Sequence, residues 1–118
     1  MELKLGHIEV FVTDPLRSKD FYVDVLGFGL EIIQQNKIVW LHSGAYTLLL
    51  RPGNKIQRGA DYQSAEKAFV LYTDNLDETK TILAKKGLVF KGTDGSDRCL
   101  TFTDPDGNWF QLVDPKEH

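Results

Sequence analysis

The chain has 118 residues, 42% of them hydrophobic and 11% aromatic, which is enough apolar side chain for the core of one domain. Lys and Arg number 14 against 17 Asp and Glu, a net charge of -3, so no basic surface for nucleic acid is expected. No apolar run has the length of a membrane span, the first residues lack the apolar core of a secretion signal, and the lone Cys99 has no internal disulfide partner. The expectation is a cytoplasmic protein with no membrane partner.

Leu3 to Thr13 reads as a strand, with Leu3, Leu5, His7, Glu9 and Phe11 on one face and Ile8, Val10 and Val12 on the other. The β-branched second face suits packing under a helix. Asp14-Pro15 starts that helix, Asp as N-cap and Pro at the first helical position. Leu16, Phe21, Tyr22, Val25 and Leu26 keep helical spacing, and Gly27 takes the left-handed slot that ends it. Three strands follow, near Gly29–Gln34, Ile38–His42 and Tyr46–Leu50, turned at Gln35-Asn36 and Ser43-Gly44. From Arg51 to Glu66 the chain is polar, with Pro52, Gly53, Asn54 and Gly59, which is the composition of a linker or mobile loop.

Lys67 to Thr73 is another strand, and Asp74-Asn75 caps a second helix with Leu76, Ile82 and Leu83 on one side and Gly87 at its end. Asp77 and Glu78 suit the first helical turn through the helix dipole. Further strands are expected near Leu88–Lys91, Arg98–Thr103 and Trp109–Val113. The loop 92–97 (GTDGSD) does not precede a helix and so is not a phosphate-binding loop. In Asp104-Pro105-Asp106-Gly107, Pro pre-sets φ and Gly supplies a positive φ, which predicts a type I turn closed by a left-handed residue. Gln111 is the one polar side chain of the last strand. It shares a face with Trp109 and Val113 and needs a partner.

Thr13-Asp14-x-Leu16 and Gly27 recur 60 residues later as Thr73-Asp74-x-Leu76 and Gly87. A strand, a helix and three strands are written twice. The expectation is an α+β fold in a single domain 1–118: two βαβββ modules, about 1–52 and 66–115, joined by a linker at 53–65. Their curved mixed sheets are expected to surround a cleft, with the helices outside.

Through Gly6-His7-Ile8, Asp14–Phe28 (DPLRSKDFYVDVLGF) and Asp104–Leu112 (DPDGNWFQL), nearly the whole chain resembles the vicinal-oxygen-chelate superfamily. That superfamily contains glyoxalase I, bleomycin-resistance proteins and extradiol dioxygenases. The resemblance implies the paired-module fold more strongly than any one reaction. It also implies four metal-ligand positions: His7, one in Tyr46–Leu50 at Leu48, Ala68, and Gln111. Two keep a donor and both carboxylates are gone, whereas a divalent ion wants three or four protein donors. Glu9, on the face of His7, adds an oxygen; Glu31 and His42 are further candidates.

The preferred reading is therefore a non-metal small-molecule-binding protein, similar to the bleomycin-resistance branch, with no cofactor and acting as a homodimer. Its ligand would lie in an aromatic cleft on His7, Glu9, Trp109, Gln111 and Arg98. His7 is either a hydrogen-bonding or general-base group, since imidazole titrates near neutrality, or a satisfied side chain on a half-buried strand. Gln111 bonds His7 or backbone if it has no ligand role. Trp109 is expected as a wall for a flat or apolar ligand, and most of Trp40, Tyr46, Phe69 and Phe102 in the core. Arg98 either receives an anion or is a surface charge. Cys99 is expected buried and unreactive, and no serine has a nucleophile-elbow setting.

The competing reading is an enzyme, a glyoxalase-like lyase or isomerase or a ring-cleaving dioxygenase. It would use a divalent metal such as zinc, nickel, manganese or iron on His7, Gln111 and Glu9 to polarise vicinal oxygens. A third class is a partner-binding module that uses the polar stretch Arg51–Glu66.

Overall fold

A computed structural model describes residues 1–54 and 58–118. The chain forms two compact units, Met1–Lys55 and Ile56–His118. The first contains strand β1 (Ile8–Val12), helix α1 (Pro15–Asp20) running into a π-helical turn (Phe21–Val25), then β2 (Gly29–Gln34), β3 (Ile38–Ser43) and β4 (Tyr46–Pro52). The second contains β5 (Ala68–Tyr72), α2 (Leu76–Lys85), β6 (Thr93–Asp94), β7 (Ser96–Thr103) and β8 (Trp109–Val113). Strand orders are β1-β4-β3-β2 and β5-β8-β7-β6. In each sheet the first and last strands pair in parallel and the rest antiparallel. The α+β fold of two repeated mixed-sheet modules is what the chain builds. No helix among the described residues is long and apolar enough to cross a membrane.

In the first unit the β-branched face of β1 is buried as expected, with Val10 and Val12 inside. The register Val10↔Leu50, Val39↔Leu50 and Leu41↔Leu48 puts these side chains on one sheet face, and α1 packs over β3 and β4. Burying each such side chain contributes about 1.5–3 kcal/mol, whereas a cap contributes about 1 kcal/mol. A six-residue helix is thus held by packing, and the Asp14 carboxylate that accepts from Arg17 N sets where it starts.

β1 begins at Ile8, not at Leu3. The parallel ladder opens with Ile8↔Leu48, and β4 itself starts at Tyr46, so residues 3–5 have no strand to face and Leu3 and Leu5 are exposed. The second correction concerns the repeat. The helix caps are Asp14 and Asn75, 61 residues apart, while the left-handed stops Gly27 and Gly87 are 60 apart. The first helical segment therefore holds one extra residue. It is absorbed as a π turn in which Leu26 N reaches back to Phe21 O at 3.1 Å.

The second unit is packed around aromatics. Phe110 stacks on Phe102 at 5.1 Å and lies 5.2 Å from Phe69, and Phe90 meets Phe102 edge-on at 5.9 Å. The strand expected near Leu88–Lys91 does not form. Lys91 N donates to Thr101 O at 2.7 Å, but Gly92 then turns left-handed (φ +89°), and the ladder resumes only at Thr93–Asp94. The GTDGSD stretch is consequently a short hairpin turned at Gly95 (φ +75°).

The turn before β8 has the predicted form: Gly107 is left-handed (φ +89°) and its N–H donates to Asp104 O at 3.1 Å. Its centre is the buried Asp104 carboxylate. One oxygen accepts from Asp106 N at 2.9 Å and Asn108 N at 2.8 Å, and the other from Asn108 Nδ2 at 2.8 Å. Asp104→Ala should strip this turn of its acceptor and destabilise the protein by about 2–4 kcal/mol, read as a lower urea midpoint at unchanged m-value.

Candidate functional site

On the first sheet, Glu9 pairs in register with Leu49, Leu49 with Trp40, and Phe11 with Arg51, so these side chains share the face turned away from α1. His7 lies just ahead of β1 on that face. Its Nε2 is 3.0 Å from Glu9 Oε2, and Arg51 donates to Glu9 Oε1 at 2.8 Å. Glu9 is held below the usual carboxylate range, first by the Arg51 hydrogen bond and then by that of His7. The Arg51 guanidinium also lies 5.4 Å over the Phe11 ring. The His7 ring is 5.0 Å from Trp40, whose Nε1 donates to Gln34 Oε1 at 2.8 Å. A carboxylate only accepts, so the proton of a neutral His7 sits on Nε2 and Nδ1 is left as an acceptor. Arg51 was hidden in what reads as a loop. The signal for it was the alternation Thr47, Leu49, Arg51 continuing along β4.

On the second sheet, Gln111 is half-buried and donates both amide hydrogens, to Tyr62 Oη at 2.8 Å and to Asp94 Oδ2 at 3.0 Å. Among the described residues of the second unit its partners are thus two side chains, Tyr62 and Asp94. Neither Tyr62 nor Asp94 carried a local signal, because one lies in the polar stretch and the other in the glycine-rich hairpin.

The polar stretch is no free linker after residue 58. Arg58 donates to Asn108 Oδ1 at 2.8 Å, Trp109 Nε1 to Gly59 O at 3.1 Å, and Gln63 Nε2 to Thr93 O at 3.2 Å. Asp61 and Ser64 form a reciprocal capping box around a 3-10 turn at Tyr62–Ser64. Residues 55–57 of the expected linker lie outside the described residues.

Two of the expected ligand contacts, Trp109 and Arg98, already have partners within the protein. Trp109 is only 5% exposed, its indole N–H is taken by Gly59, and the Tyr62 ring stands edge-on to it at 6.1 Å. It backs Tyr62 and Gln111 and is not an open wall. Arg98 is already engaged by two carboxylates. Asp77 takes two bonds at 2.8 and 3.2 Å, and Glu117 two more at 2.7 and 3.0 Å. This clamp ties β7 to α2 and to the C-terminal turn. Phe69 and Phe102 join the core as expected, Tyr46 is exposed, and the His42 ring lies over Gly29. Cys99 is buried as expected, but Sγ has a histidine at 3.4 Å, His118 Nε2.

The donor set does not fit a divalent metal of the superfamily's kind. Aligning the modules on their helix caps matches His7 with Ala68, and the registers Ile8↔Leu48 and Phe69↔Phe110 then match Leu49 with Gln111. Leu48, the position expected from the sequence, points instead to the α1 side. Leu49 and Ala68 offer no donor. Glu9 already carries a cation, Arg51. Among the described residues no three His, Cys, Asp or Glu side chains converge.

The clamp at Arg98 makes a pH prediction. Its hydrogen bonds hold Asp77 and Glu117 below their ordinary values. Groups with depressed folded-state values contribute stability that is complete above the ordinary carboxylate range and is lost as pH falls through the depressed values. Arg98→Met should therefore lose less of its thermal midpoint than the parent between about pH 5 and pH 1, and an identical pH profile would contradict the clamp.

No curated protein matches the chain. Among solved structures, TnmS3, an antibiotic binding protein from Streptomyces sp. CB03234, is 25% identical with a TM-score of 0.72 over 98% of each chain. Lactoylglutathione lyase from Agrobacterium tumefaciens is 18% identical with a TM-score of 0.72, over 99% of this chain and 98% of the other. The fosfomycin resistance protein FosX from Listeria monocytogenes, complexed with Mn(II) and sulfate, is 18% identical with a TM-score of 0.76, over 97% and 91%. At that identity the last two show the fold alone. The family model of the Glyoxalase/Bleomycin resistance protein/Dioxygenase superfamily matches residues 4–112, and with its two βαβββ modules the chain belongs to that superfamily.

Proposed function

We propose that this chain binds an organic small molecule and sequesters it without a tightly bound metal. The observation that carries the reading is the Arg51–Glu9 contact of 2.8 Å beside His7. A guanidinium already neutralises the carboxylate that a divalent ion would need at the one family ligand position that keeps an imidazole. The likeness to an antibiotic binding protein across 98% of each chain supports the same reading.

Each sheet by itself offers contacts for such a ligand: in the first unit the Nδ1 acceptor of His7, the ring of Trp40 and the exposed Phe11 and Ile32, and in the second unit, separately, Gln111, Tyr62 and Asp94. Binding is by burial of an apolar body with a few polar groups fixing its orientation, which is how small-molecule sites reach specificity. No bond of the ligand is broken. A homodimer belongs to the proposal, because Leu30, Ile33, Val70 and Tyr72 are also exposed apolar side chains on the strands.

Calorimetric titration with zinc, nickel, manganese or ferrous iron should give no micromolar binding, while a screen of organic ligands by thermal shift should find saturable stabilisation. One equivalent of tightly bound metal per chain would replace this reading with the metal-dependent enzyme. Absence of stabilisation by any small ligand would leave a partner-binding module instead.

A further inference from the structure

The geometry points to Asp94, Gln111 and Tyr62 as a subsite that recognises a protonated amine, which rests on the small-molecule reading above and names its ligand class. Most of the carboxylates engaged in side-chain contacts are compensated. Glu9 has Arg51, Asp20 has Lys19, Asp77 and Glu117 share Arg98, and the buried Asp104 and Asp114 accept backbone N–H groups. Asp94 differs. It is half-buried on β6, and its one partner among the described residues is the neutral amide of Gln111. A carboxylate drawn partly out of water without a cation is costly, and a ligand cation removes that cost.

The neighbouring groups select what kind of cation. Because Asp94 can only accept, the amide orientation of Gln111 is settled by its partner: the nitrogen faces Asp94 and Tyr62, and both N–H bonds are spent there. What Gln111 has left is Oε1, an acceptor with no partner among the described residues. The half-buried Tyr62 ring beside them, backed by Trp109, adds a π face. A negative oxygen, a neutral acceptor and an aromatic face suit an ammonium group carrying N–H donors. They disfavour a carboxylate or phosphate, and the cation that the sequence offered for an anion, Arg98, is already engaged by Asp77 and Glu117. The occupant is therefore an organic amine on an aromatic or apolar body.

The test is an NMR titration of the ¹⁵N-labelled protein, following the Gln111 side-chain amide. The probes are phenethylamine, its neutral N-acetyl derivative, and phenylacetate. Phenethylamine should shift the Gln111 resonances saturably, with the other two weaker by about tenfold or more. Asp94→Asn should lower phenethylamine affinity by about tenfold and leave that of the N-acetyl derivative unchanged. Gln111→Leu, followed on neighbouring backbone amides, keeps Asp94 but removes the acceptor and should weaken phenethylamine by at least about threefold. Equal binding of the amine and its N-acetyl derivative, or unchanged amine affinity in both variants, overturns the subsite and leaves small-molecule binding standing. No shift with any of the three probes also overturns the subsite. The small-molecule reading falls with it only if the thermal-shift screen is empty as well.

Discussion

In each unit the first strand pairs in parallel with the last, β1 with β4 and β5 with β8. A parallel pair cannot be closed by a hairpin, so the chain must leave the sheet, cross over and return. The crossover carries the helix, which covers one sheet face with its apolar stripe. The other face is left to carry polar side chains. Side-chain alternation does the sorting: Val10 and Val12 go under α1, while Glu9 and Phe11 go to the opposite face. The same rule puts Phe110 and Leu112 in the aromatic core and Gln111 opposite.

The charges along the strands are largely satisfied from within. Arg51 lies on Glu9, and Arg98 lies between Asp77 and Glu117. Neither arginine is a free cation, and the carboxylate nearest His7 is not a free ligand. These exposed pairs contribute little to stability, because solvent screens them. Their larger effect is on chemistry, since they remove the groups that would otherwise capture a metal or an anion. Among the described residues, the half-buried Asp94 is held instead by a neutral amide.

The polar stretch after residue 58 connects loop sequence to site chemistry. Its four side-chain hydrogen bonds to β8, β6 and the turn between β7 and β8 bring Tyr62 onto Gln111 and cover Trp109. The DPDG turn supplies one of those anchors, Asn108, whose own backbone N–H and side-chain amide are fixed by Asp104. The buried carboxylate that shapes the turn thereby also positions the segment that closes over Gln111.

Local chemistry determined most of the elements. Asp14-Pro15, Gly27, Gly87, the Gln35-Asn36 pair at positive φ and the DPDG turn each act through their own backbone preferences, so they could be read in isolation. Strand faces could be read wherever alternation was clean, as in Val10, Val12, Phe110 and Leu112. The extent of β1, the loss of a strand at Leu88–Lys91 and the π turn could not, because each depends on which residue of another segment lies opposite. The same limit applies to the site. His7, Glu9 and Gln111 were visible as polar residues on apolar strands, but their partners Arg51, Tyr62 and Asp94 lie 42, 49 and 17 residues from the groups they bond. A side chain's type shows that it needs a partner. Only the tertiary pairing decides which one it gets, and here that decision neutralised Glu9 with an arginine and, among the described residues, gave Asp94 a neutral amide.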